Sequence, residues 1–462
     1  MSDAAITAGL ASAGRRPAAA VGWRGALHLG LFVAFLAYVF IGTQPLADPS
    51  AAADRVDGSP LDRFVVLGMV FLALAALAAN LREAGRMALR NPGLIAVVGF
   101  CLLSVVWSDY PDLTIRRAML LVFLTIAAAG IAVGVTDLRR FHTTLVVALT
   151  TVVILNLLVT AAAPSRAITD LGVRGIYTQK NVAGIVSMIA VVVAATWALG
   201  ARRRRSVVLG LCAIVPAAAF LAISRSKTSI GLTVLALALL AVFALAEKIG
   251  ARFVLAVVLL LSLALAAALL TLAAFDFDKT QLAIALFGDA TFTGRDELWA
   301  FALNAAHERT WLGHGYGAFW DVGPGNDPLL RMDPGSWLGD IASGEINQAH
   351  NGYLELWLHI GLPAMIVAAL VVAWGAARGV ALAARRSIGR PERAAIGALA
   401  LLLVLHLLHN LTEATLFMRG IAFCNVALLA LLVLSRCRDI ASADDLVRVR
   451  NPVPDRTLGS AR

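Results

Sequence analysis

The chain has 462 residues, 60% of them hydrophobic and 15% charged, with a mean hydropathy of +0.82. That composition excludes an ordinary water-soluble globular domain and a disordered chain alike. The formal charge of +10 does not point to nucleic acid, because the basic residues flank apolar runs and therefore report membrane topology.

Apolar runs long enough for a helix to cross roughly 30 Å of hydrocarbon recur in chain order at 26–43, 64–80, 93–107, 118–135, 141–163, 182–199, 207–223, 229–246, 253–275, 352–376, 394–411 and 421–434. In lipid, backbone groups must be satisfied within the segment, so these runs are read as helices. The chain is expected to be an all-α polytopic membrane protein of about twelve transmembrane helices. The first run carries a basic flank (Arg15, Arg16, Arg24) like that of a signal peptide, but the runs behind it make an uncleaved anchor the better reading. Cys101, Cys212, Cys424 and Cys437 are scattered without paired spacing, which speaks against a disulfide framework or a zinc site.

Charge sets the orientation. If the N-terminus is cytoplasmic and the spans alternate, the inside holds 25 of the 39 Lys and Arg but only 9 of the 29 acids. The outside keeps 14 basic and 20 acidic residues. Both termini are thus expected on the cytoplasmic side of a bacterial inner membrane. The expected organisation is a tail at 1–25, spans one to nine at 26–275, a large periplasmic loop at 276–350, spans ten to twelve at 351–434 and a tail at 435–462.

Long loops in compact domains usually carry function, and the loop at 276–350 contains Trp299, Trp311, Trp320 and Trp337. Within it, residues 296–308 read as a short amphipathic helix: Asp296 and Glu297 suit the first turn, and Leu298, Ala302 and Ala305 share one face. Gly313-His314-Gly315-Tyr316-Gly317 follows. Its spacing resembles a nucleotide fingerprint, but no strand precedes it and no helix opens from it. The cytoplasmic loops carry no phosphate-binding glycine motif.

The informative residues are cations on the disfavoured outer side, each just ahead of an inward-running helix. Gly172-Val173-Arg174 and Gln179-Lys180-Asn181 precede the sixth span, and Ser224-Arg225-Ser226-Lys227-Thr228 the eighth. Gly294-Arg295 precedes the loop helix, and His350-Asn351 the tenth span. Helix N-termini attract anions, and arginine adds a planar fork matched to phosphate oxygens. Their convergence predicts a site for a phosphorylated ligand at the outer boundary. Taken singly, Arg174 and Lys180 suit lipid headgroups equally well, and the tryptophans suit an aromatic belt as well as sugar stacking.

Three runs in this order, Thr293-Gly294-Arg295-Asp296-Glu297-Leu298-Trp299, Trp311-Leu312-Gly313-His314-Gly315-Tyr316-Gly317 and Ala349-His350-Asn351-Gly352-Tyr353-Leu354-Glu355, resemble the Wzy-type O-antigen ligase and polymerase family. The stretches 175–184 and 410–416 are similar to its exopolysaccharide polymerase branch. The resemblance implies a GT-C-like membrane glycosyltransferase acting on undecaprenyl-pyrophosphate-linked oligosaccharide at the periplasmic face. Arg225 and Arg295 match arginines that bind the pyrophosphate, His350 matches an essential histidine, and Lys180 and Glu413 match recurrent polar positions. Lys227 departs from the pattern by adding a second cation beside Arg225, and the stretch between Tyr316 and His350 shows no family signature.

The expected chemistry follows from the leaving group. A lipid-linked pyrophosphate leaves readily, so the site must chiefly stabilise charge on the bridging oxygen, each preorganised donor contributing on the order of 3–4 kcal/mol. Arg225 and Arg295 take that role, with Lys227, Lys180 and Arg174 around the pyrophosphate. His350 is the candidate base toward the acceptor hydroxyl of the growing glycan, and Glu413 a second base or an orienting partner. Direct attack inverts the anomeric centre. No metal-ligand spacing appears, so a metal-independent enzyme without cofactor is expected, with a chain-length regulator as a partner. Two alternatives stand. A ligase would transfer the same donor to lipid A core or protein. A transporter would place ionisable groups and broken helices near the midplane in repeated halves, where this sequence has nearly uncharged spans and no repeat.

Overall fold

A computed structural model describes residues 23–46, 59–249, 293–332, 335–336, 338–340 and 346–450. They form a helical bundle with one two-stranded ribbon. In chain order the helices are α1 (Trp23–Phe40), α2 (Pro60–Ala78), α3 (Leu81–Arg90), α4 (Pro92–Leu103), α5 (Pro111–Gly134), α6 (Leu138–Ala162) and the single turn α7 (Pro164–Ala167). The strands β1 (Ile168–Thr169) and β2 (Gly172–Val173) pair antiparallel, with Ile168 opposite Val173. Then come α8 (Lys180–Gly200), α9 (Arg204–Ser224), α10 (Lys227–Ile249), α11 (Thr293–Glu308), α12 (Gly352–Ile360), α13 (Leu362–Ala383), α14 (Arg390–His409) and α15 (Ala422–Arg450).

Nine of the described helices, namely α1, α2, α5, α6, α8, α9, α10, α13 and α14, are long and apolar enough to cross a membrane. The expected all-α polytopic architecture is therefore what the chain adopts. The expected span at 253–275 lies outside the described residues. Proline opens several helices at the first turn, where its missing N–H costs nothing: Pro60, Pro92, Pro111, Pro363 and Pro391. Asp137 caps α6 by accepting from the Arg139 and Arg140 amides. Small residues set close helix approaches, as where Gly130 faces Ala73 and Gly379 faces Ala400. The helix α8 is the central one, packed by α6, α9, α10 and α14.

Two expected spans take a different form. The span at 93–107 runs as α4 and a 3-10 turn (Ser104–Val106), and it is joined to α3 in a bent pair. The bend between α3 and α4 is 84°. Its cause lies at Asn91-Pro92: proline disfavours the helical conformation in the residue before it, and Asn91 leaves that region (φ −126°, ψ 46°). The helix α3, which carries Arg82, Arg86 and Arg90, is held by the Arg90–Asp439 ion pair (2.5 Å) and by Arg436 facing Glu83. The span at 352–376 is split at Gly361, whose φ of +81° breaks the helix and whose Cα lies against the Trp311 carbonyl. Only α13 beyond it is long enough to span; α12 belongs to one end of the bundle together with α11. That end, which also carries the described residues 309–332 and 346–350, is called the loop end. The opposite end carries the arginines of α3, Arg139, Arg140 and Arg202 to Arg205.

Candidate functional site

The loop end is a packed structure. Trp299 of α11 donates its indole N–H to the Ala349 carbonyl (2.9 Å), which fixes the residue ahead of His350. The buried Glu355 of α12 fixes the same residue from below: its Oε2 accepts from the Ala349 amide (2.6 Å) and the Trp320 indole (3.1 Å), while Oε1 faces His359 Nε2 at 3.4 Å. Burial pushes the Glu355 carboxyl up to about 7 despite these two donors. Burial likewise drives His359 well below the usual histidine range, so it is neutral there. Asn351 caps α12 by accepting from the Tyr353 and Leu354 amides, both at 3.1 Å. Held on both sides, His350 adopts a left-handed backbone (φ +49°), a conformation uncommon outside glycine and enriched in residues such as histidine and asparagine.

The glycine run 313–317 serves close packing. Gly313 sits on the His359–Ile360 backbone, Gly315 on Ser108 and Gly317 on Arg117, all three with positive φ. A nucleotide role is thereby displaced by a packing role.

His350 Nδ1 lies 3.2 Å from Glu413 Oε2, and the other carboxylate oxygen accepts from Asn181 Nδ2 at 2.9 Å. Glu413 is buried, His350 half-buried. A carboxylate only accepts, so a hydrogen bond to it is donated by Nδ1. The loop bearing Glu413 is organised by Asn410, whose Oδ1 accepts from the Thr415 (2.8 Å) and Leu416 (2.7 Å) amides. Gly352 packs directly on that side chain and its amide donates to the Asn410 carbonyl (2.8 Å). Thr412 Oγ1 meets Thr228 Oγ1 at 3.2 Å, which brings the start of α10 beside the Glu413 loop.

Of the expected cations, Lys180 and Lys227 stand next in sequence to Asn181 and Thr228, which touch the Glu413 loop. Lys180 opens α8 one residue before Asn181, and its Nζ donates to the Leu171 carbonyl (3.0 Å). Arg225 ends α9 in a left-handed conformation (φ +53°), with an exposed guanidinium that no described residue accepts. Gly172 of β2 packs on Ser224 and the Arg225 Cβ, and Gly184 of α8 on Ser226, so this turn is wedged between the ribbon and α8. Lys227 is exposed at the start of α10. Arg174 is turned to α7, its Nε donating to the Arg166 carbonyl (2.7 Å). Arg295 occupies the first turn of α11, one turn ahead of Trp299.

Sequence reasoning missed Asn181, Glu355 and Asn410 as site-forming residues. Asn181 stood inside a motif singled out for its lysine, and Glu355 inside the histidine motif. Their roles depend on partners far along the chain or on burial, which charge placement does not report.

Residues 212–369 match the model of the O-antigen ligase family (Wzy_C). The matched stretch contains Arg225, Lys227, Arg295, His350 and Glu355, while Arg174, Lys180 and Asn181 precede it and Glu413 follows it. No curated protein matches the chain.

Proposed function

We propose that this O-antigen ligase-family protein is the polymerase that joins undecaprenyl-pyrophosphate-linked oligosaccharide repeat units, at the periplasmic face of the bacterial inner membrane. The observation that carries the reading is the hydrogen-bonded series Asn181, Glu413, His350 at the loop end, with exposed cations of the α9–α10 turn beside it. The loop end is taken as periplasmic because the opposite end concentrates the arginines, in keeping with the positive-inside rule.

In the reaction, the acceptor sugar hydroxyl gives its proton to His350 Nε2 as its oxygen attacks the anomeric carbon. The bond from that carbon to the pyrophosphate oxygen breaks, and the electron pair leaves on the lipid pyrophosphate. Glu413 holds the imidazolium that forms, and Asn181 holds the carboxylate. Arg225, Lys227 and Arg295 receive the departing charge, with Lys180 and Arg174 behind them. Each fixed donor is worth on the order of 3 kcal/mol in a partly desolvated site, so the reaction is proposed to run without a metal. A single displacement inverts the anomeric centre.

The test supplies purified protein in lipid with the lipid-linked repeat unit alone. One undecaprenyl pyrophosphate released for each new glycosidic bond, without any added acceptor, supports polymerisation. Transfer that occurs only when lipid A core or protein is added, and then once per acceptor, makes the protein a ligase instead.

A further inference from the structure

The loop end also holds a crevice of about 410 Å³ between α2 and α5. Along α2 and α5 the lining passes from Arg63, Arg116 and Arg117 to Val66, Leu67, Met119, Leu120 and Phe123, with Leu113 and Asp62, the one acid, near the helix starts and Arg419 added from the loop after α14. Leu67 and Ile115 line it and are also exposed, so it opens sideways along the face of α2 that presents Phe64 and Phe71 outward. Both flanking helices begin here, at Pro60 and Pro111, and turn their positive ends to it.

The arginines are not equivalent. Arg117 is buried and structural, donating to the carbonyls of Gly317, Trp320 (2.9 Å) and Asp321 (2.7 Å). Arg419 lies beside it against Gly317, which has no side chain to push it away. Its backbone amide donates to Tyr316 Oη (3.1 Å), yet no described residue accepts a hydrogen bond from its guanidinium. Burial lowers its pKa, with Tyr316, Asp321 and Glu355 opposing that by their charge. Arg63 and Arg116 stand exposed at the rim. A half-buried arginine held next to a like charge, above an apolar wall and open to the membrane, is matched to a phosphate carried on a hydrocarbon chain.

Arg419 is six residues beyond Glu413, so their Cα atoms are at most about 22 Å apart. The donor-side cations stand elsewhere: α8 and α10 pack on each other and on α14, whereas α2 and α5 pack together and on α1. We propose that the α2–α5 crevice is a second substrate site, holding the phosphorylated lipid anchor of the acceptor glycan while its sugar end reaches His350. This rests on the glycosyl transfer proposed above.

The test counts ligands. The full chain in phosphatidylcholine nanodiscs is titrated with undecaprenyl pyrophosphate and weighed intact by native mass spectrometry. Two bound equivalents are expected. The pair Arg63→Gln with Arg419→Gln should lose one, and Arg225→Gln with Lys227→Gln the other. Arg63→Gln alone, a change at an exposed position, should weaken the second equivalent about tenfold, which keeps the test valid if Arg419 variants misfold. One equivalent in the wild type, or two retained in the Arg63/Arg419 pair, overturns the proposal. So does displacement of the second equivalent by an equal concentration of phosphatidylglycerol, which would make the crevice a bulk-lipid site. Loss of one equivalent in the Arg63/Arg419 pair but none in the Arg225/Lys227 pair would uphold the crevice and refute the donor assignment.

Discussion

Replacing Glu413 by Gln keeps the side-chain shape and changes only which atoms accept. In the native site both carboxylate oxygens are acceptors, one toward His350 Nδ1 at 3.2 Å and one toward Asn181 Nδ2 at 2.9 Å. A glutamine must turn its NH₂ toward one of them. Turned to His350, it stabilises the tautomer protonated at Nε2, which cannot take the acceptor proton. Turned to Asn181, it forces that amide to rotate and still leaves the imidazolium without its counter-charge. A charge-assisted hydrogen bond contributes about 1.5–3 kcal/mol against about 1 for a neutral one. Adding the loss of general-base catalysis, kcat should fall by about 10²–10⁴. The KM for the lipid-linked donor should stay within about twofold, since Arg225 and Lys227 are untouched. Initial rates of chain extension by purified, lipid-reconstituted variants, at several donor concentrations, measure both. A kcat within about threefold of wild type, or a change confined to KM, would refute the assigned roles of Glu413 and His350.

Other expectations come from the same contacts. Because burial raises the Glu355 carboxyl from 4.5 to about 7, the folded protein binds more protons than the unfolded chain between those values. Stability is therefore highest below the lower value and falls as pH rises through the upper one, by up to about 3 kcal/mol. Glu355→Gln, whose single carbonyl can accept from both Ala349 and Trp320, should melt at a temperature nearly independent of pH across that window and above wild type at pH 8. An equal slope in both proteins would contradict it. Asn410→Ala removes the acceptor of two buried amides, worth about 1–3 kcal/mol each, and should lower both the melting temperature and activity. Gly361→Ala would bring a Cβ to 2.1 Å from the Trp311 carbonyl at a positive φ. It should destabilise the protein by about 2 kcal/mol or more, and an unchanged melting temperature would argue against the break between α12 and α13.

Much of the fold was legible because lipid imposes one rule on every span: apolar length. That rule finds where a helix can cross but not where it must stop, so the break at Gly361 was hidden in a continuous apolar run. Trp311, the residue that forces it, is fifty positions earlier. The helix α3 was hidden for the opposite reason, since a short basic segment between spans reads as a loop until Arg90 and Glu83 are seen paired with α15. At the site, cations on the disfavoured side were visible as charge. Glu413 was legible only through family resemblance, because its pairing with Asn181 joins residues 232 positions apart. Arg419 counted as one more outer charge, and only the packing of α2 against α5 gives it a crevice to face.

The central claim is that glycosidic bonds between lipid-linked repeat units form at His350 of the loop end. The direct measurement is the product ladder made from one purified lipid-linked repeat unit by reconstituted wild type, His350→Ala and Arg295→Ala, each checked for normal membrane insertion. The account predicts products at successive multiples of the repeat for wild type and an unextended repeat unit for both variants. A ladder of normal length from His350→Ala would contradict it.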